Sequence, residues 1–122
     1  MSDAEKIKVQ NDAARTTFTG CRVMLTTGVQ SLEGIGRLLE QVQKFDSFSA
    51  DNDPYGEHDF GSLRFSGQTV FWKFDYFDVN LQMASPDASD PTVTIRVLTI
   101  MIERGVLTRA RRNRVEISLF FG

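Results

Sequence analysis

Apolar positions along the chain change their period several times, and each change marks an element. Over 3–18, Ile7, Ala14 and Phe18 recur at spacings of seven and four, which lays them on one helical face. Asn11-Asp12 weaken that helix in its interior, and Gly20 is placed to stop it. Over 21–27 the period drops to two, with Val23 and Leu25 alternating against Arg22, Met24 and Thr26, so a half-buried strand is expected. Helical spacing returns over 31–45, where Leu32, Ile35, Leu38, Leu39, Val42 and Phe45 form a stripe behind Ser31 as N-cap and Glu33 in the first turn. Gly34 and Gly36 each cost that helix about 1 kcal/mol against alanine, so it depends on packing.

The stretches 60–66 and 69–77 predict a hairpin closed around Ser66-Gly67-Gln68. In its second strand Val70, Trp72, Phe74 and Tyr76 share one face, and Phe71, Lys73, Asp75 and Phe77 the other. Apolar residues on both faces point to a central strand covered on both sides, with Lys73 and Asp75 placed to pair. Asp90-Pro91, with Gly105 beyond, predicts a third helix over 91–104, buried by Val93, Val97, Leu98, Ile100, Met101 and Ile102. Alternation of Val115, Ile117, Leu119 and Phe121 predicts an edge strand over 114–121. The expected fold is therefore α+β: an antiparallel sheet of about four strands (21–27, 60–66, 69–77, 114–121) packed with three helices (3–18, 31–45, 91–104), in a single domain over 1–122.

Composition narrows the class. Ten Phe and a 41% hydrophobic content supply a core without staples. A single Cys excludes an internal disulfide and any Cys-based zinc site. No apolar run approaches the roughly 20 residues a membrane span needs, and the first residues show no apolar signal region, so a cytoplasmic protein with no membrane partner is expected. The net charge of −2 hides an asymmetry: residues 46–90 carry nine acidic and two basic side chains, whereas 91–122 carry six Arg and two Glu. The four Arg within 109–114 would suit phosphates, or a solvated turn before the last strand. With so acidic a remainder, direct nucleic-acid binding is not the expectation.

The chemistry concentrates in Asp51-Asn52-Asp53-Pro54-Tyr55-Gly56-Glu57-His58-Asp59-Phe60-Gly61, which holds the chain's only His and four carboxylates in nine residues. Counted as a calcium loop from Asp51, the positions of Asp53, Gly56 and Asp59 fit. Tyr55 at the fifth position and Ser62 at the twelfth do not, so no metal site is assigned and no cofactor is expected. As an acid–base site, His58 would work with Glu57, Asp59 and Asp75 in a small hydrolase or metal-dependent enzyme. No Ser nucleophile elbow, His pair or Gly-rich phosphate loop accompanies them. The structural alternative is a Pro- and Gly-shaped turn in which Asp51 and Asp53 accept backbone N–H bonds, His58 and Phe60 face inward, and the acids face out.

Asn11-Asp12-Ala13, the run 22–29, the acidic loop, Phe71-Trp72-Lys73-Phe74-Asp75-Tyr76-Phe77-Asp78, and Asp90-Pro91 with the run 96–101 together resemble a small bacterial family catalogued as a domain of unknown function. The resemblance covers about 10–104 and is most specific in the acidic loop and the Trp-Lys strand. Members resemble cargo of plasmids and integrated mobile elements, which implies a part in the conflict between mobile DNA and host defence. It carries no catalytic residue with it. The expected function is then that of a small acidic interaction protein, an inhibitor of a host defence nuclease of the restriction or CRISPR type. Asp51, Asp53, Tyr55, Glu57 and Asp59 would contact a basic, nucleic-acid-binding surface on that protein partner.

Overall fold

The computed structural model describes residues 1–103. The strand expected over 114–121, the Arg run 109–114 and Arg104 lie outside the described residues. Seven elements follow in order: α1 (Asp3–Thr17), β1 (Arg22–Leu25), α2 (Thr27–Gln30), α3 (Ile35–Gln43), β2 (Phe60–Phe65), β3 (Gln68–Phe77) and β4 (Ile95–Ile102). They make an α+β fold with a four-stranded sheet in the order β1-β4-β3-β2. Two of its pairings are antiparallel; β1 runs parallel to β4, so the sheet is mixed.

Local chemistry explains the first helix and the hairpin. Ser2 caps α1 through a reciprocal capping box with Glu5, and Phe18 ends it in a left-handed conformation. The hairpin is tighter than the sequence suggested: Phe65 pairs with Gln68, leaving Ser66 (φ 51°) and Gly67 (φ 77°) as the whole turn. Two successive residues at positive φ form a turn whose twist matches that of the flanking strands.

Two expectations are corrected. The helix expected over 31–45 begins only at Ile35, because Gly34 takes a left-handed φ of 74° in front of it. Ser31 instead closes the separate short helix α2, its hydroxyl donating to the Thr27 and Gly28 carbonyls. The helix expected over 91–104 is not a helix: residues 95–102 are β4, paired on both sides. Asp90-Pro91 opens a turn, with the Asp90 carboxylate accepting from the Thr92 N–H and hydroxyl. A strand with both faces buried reads as an unbroken apolar run, and its length and β-branched residues (Ile95, Val97, Thr99, Ile100, Ile102) are what mark it as a strand.

As expected, β3 is internal, lying between β2 and β4. One sheet face carries Val70, Trp72, Phe74, Leu98 and Ile100, which pack with Ala14 of α1, Val29 of α2, and Leu38 and Val42 of α3. Each such large side chain contributes about 1.5–3 kcal/mol on full burial. Gly61 lies so close under Trp72 that a Cβ there would meet the indole at 2.5 Å. The opposite face carries Met24, Phe71, Lys73, Val97, Thr99 and Met101, all buried. On that face Lys73 and Asp75 form the ion pair their spacing suggested.

Candidate functional site

The acidic loop leaves α3 through Phe45 and Phe48, which pack edge-on against Trp72. It then turns at 51–57 and enters β2. Asp53 was expected to face a partner; it faces inward instead and is 9% exposed. Its Oδ1 accepts the Glu57 N–H at 3.1 Å and the His58 N–H at 3.0 Å, so it acts as an internal cap for the turn. His58 sits at φ 53° and stacks flat on Phe48, with ring centroids 3.7 Å apart. Its Nδ1 donates to the Asp12 carboxylate at 2.8 Å, and its Nε2 lies 3.6 Å from Asp53 Oδ2. The inward role expected of His58 is the one the structure shows.

The residues that hold the loop come from α1. Asn11, 0% exposed, donates through Nδ2 to the Glu57 carbonyl (3.1 Å) and to the Tyr76 hydroxyl (2.8 Å). Its Oδ1 accepts from Arg96 Nε at 2.7 Å. One amide thus joins the first helix, the loop, β3 and β4. Asp12 accepts from both His58 and Arg15 at its Oδ1. Arg15, 3% exposed, donates to the carbonyls of Val42, Gln43 and Phe45, so its charge lies on the C-terminal end of α3. Its guanidinium also lies over the Trp72 and Phe48 rings. The sequence marks Asn11 and Asp12 only as weak points of a helix and as part of the family resemblance, and Arg15 not at all. An Asn-Asp pair on the buried side of an amphipathic helix was the available signal, because buried polar groups require partners.

The remaining loop side chains face outward or the rim. Tyr55 is 74% exposed at the tip, and Asp51 is also exposed. Glu57 and Asp59 are half-buried. Partial burial, then repulsion from Asp59 and Asp53, raises the Glu57 pKa above its ordinary value. The acids therefore crowd one another, and their summed field favours a cation. Asp75 does not join them: strand alternation puts it opposite Trp72 and Tyr76, beside Lys73, and burial raises its pKa against the pull of that lysine. The four residues weighed for acid–base chemistry thus divide, with His58 held between two carboxylates and Asp75 across the sheet. Among the described residues, no three His, Cys, Asp or Glu side chains are grouped to hold one metal ion. Among them also, no helix is long and apolar enough to cross a membrane.

A family model described as "Protein of unknown function (DUF3768)" matches residues 25–105. No curated protein and no solved structure matches the chain. The matched span holds the acidic loop, the hairpin and β4. It begins at the last residue of β1, so Asn11, Asp12 and Arg15, which brace the loop, lie outside it.

Proposed function

We propose a binding function for this chain, which belongs to the DUF3768 family of proteins of unknown function. The observation that carries the reading is the loop's two-sided construction. Asp53, His58 and Asn11 fix it from within, while Tyr55 stands 74% exposed at its tip. A turn already fixed in the free protein pays little ordering entropy on association. A solvent-facing Tyr is among the residues most able to anchor an interface. Glu57, with Asp59 acting on it and Asp51 exposed earlier in the loop, supplies the negative field that steers a basic surface toward that anchor. Asp53 belongs to the support of this surface, not to its contacts.

The partner that fits is a protein with a basic, nucleic-acid-binding face, which the loop would occupy in place of phosphates. The resemblance to cargo of mobile elements makes a host defence nuclease, of restriction or CRISPR type, the first class to try. Inhibition would then follow from competition for that face.

The test is affinity capture from the native host with wild type and a variant carrying Asp51→Ala, Tyr55→Ala, Glu57→Ala and Asp59→Ala. Capture of a nuclease component that the variant loses, and that weakens as salt is raised, is the expected result. Equal capture by both chains at matched Tm sinks the proposal.

A further inference from the structure

Arg96 is a second buried arginine, and it is supported differently from Arg15. It is 4% exposed and lies over the Tyr76 ring. Nε donates to Asn11 Oδ1, one terminal nitrogen to Gln10 Oε1 at 2.9 Å, and the other to the Ala88 carbonyl at 2.7 Å. All three acceptors are neutral. Among the described residues no carboxylate lies within ion-pair distance of it, whereas Arg15 has Asp12. A guanidinium carries five N–H donors; three are used here, which leaves two. Glu57 acts on Arg96 only from beyond ion-pair distance. A buried charge with no carboxylate in contact is costly, and an anion reaching it offsets that cost.

Arg96 also lines a cleft of about 520 Å³ between the C-terminal half of α1, the turn into β1 and the start of β4. That volume lies within the range of roughly 300–1,000 Å³ typical of small-molecule sites. Ala13, Ala14 and Pro91 give it apolar walls, and Thr17, Thr19 and Thr94 complete the lining with hydroxyls already bonded within the protein. We propose that this cleft binds a small molecule bearing an oxyanion, a carboxylate or a phosphate, with Arg96 as the charge that holds it. The planar fork of a guanidinium matches either oxyanion through paired N–H donors, and the alanine and proline walls take the ligand's apolar part. The site is separate from the outward face of the acidic loop and stands without the partner proposed for it.

The experiment measures the Tm of the full chain in sodium phosphate and in sodium malonate against sodium chloride at equal ionic strength. A saturable rise in phosphate or malonate beyond chloride is expected, and the effective arm names the oxyanion. A titration of the same probe must also move the NMR signal of the Arg96 Nε–H. Ala13→Leu narrows the cleft from an exposed helical position and is expected to abolish both effects with the free protein's Tm kept. Arg96→Lys keeps the charge without the fork and is expected to weaken binding at least tenfold. Equal Tm in all three salts overturns the proposal. So does a rise that survives Ala13→Leu, or an Arg96 signal that stays still. Should Arg96→Lys fail to fold, the Ala13→Leu and NMR results decide.

Discussion

Arg15 projects from α1, Arg96 reaches α1 from β4, and the two are buried alike, yet their surroundings differ. Arg15 meets a carboxylate and three carbonyls at the end of α3, so the fold itself supplies its negative complement. Arg96 meets an amide, a glutamine and a backbone carbonyl, and the complement is left incomplete. Burial alone therefore does not tell a structural arginine from one that awaits a ligand; the charge of what surrounds it does. Asn11 lies between the two and ties the second to the loop.

Replacing Arg15 with Met should be the most damaging of the changes considered. It takes from the Gln43 and Phe45 carbonyls the donor they share and removes the cation over Trp72, and at about 1–3 kcal/mol for each buried acceptor left unsatisfied a loss of about 3–5 kcal/mol is expected in urea unfolding. A loss below about 1 kcal/mol would mean that the helix end is satisfied by water. Asn11→Ala should come next, at about 2–3 kcal/mol, because it strands Arg96 Nε and the Tyr76 hydroxyl. A double-mutant cycle with Tyr76→Phe should show coupling of about 1 kcal/mol, and additive losses would remove the amide as the link.

Glu57→Gln should have the smallest effect, and one of opposite sign. The raised pKa of Glu57 means that the folded chain still binds a proton where the unfolded chain has released it. Its contribution to stability therefore falls as pH rises through the carboxylate range. The glutamine variant should match wild type near pH 3 and exceed it at pH 7 by about 1–2 °C in Tm. A variant less stable than wild type at pH 7 would show that Glu57 supports the loop, not merely crowds it.

Much of this arrangement was legible before any coordinates. The first helix, the hairpin and the central position of β3 follow from period and turn chemistry, and the inward turn of His58 follows from a loop shaped by Pro54 and Gly56. The identity of β4 was hidden because Ile95–Ile102 is buried on both faces, which removes the alternation that distinguishes a strand from a helix. The inward turn of Asp53 stood as one of two readings, because a carboxylate in an acidic loop looks the same whether it caps backbone N–H groups, as it does here, or meets solvent. Arg15 and Arg96 were hidden because their partners are chiefly carbonyls and amides far along the chain, which leave no charge pattern in the sequence.

The pairing of β1 with β4 also constrains how the chain folds. Arg22 pairs with Val97, and Arg96 donates to Asn11 across 85 positions. The first strand thus has no neighbour in the sheet until the last described strand exists. Contacts so far apart in sequence are slow to close, and folding in milliseconds to seconds is expected of such a topology. During synthesis β1 must wait for residues 95–102 to emerge, and the loop remains unbraced until α1 docks.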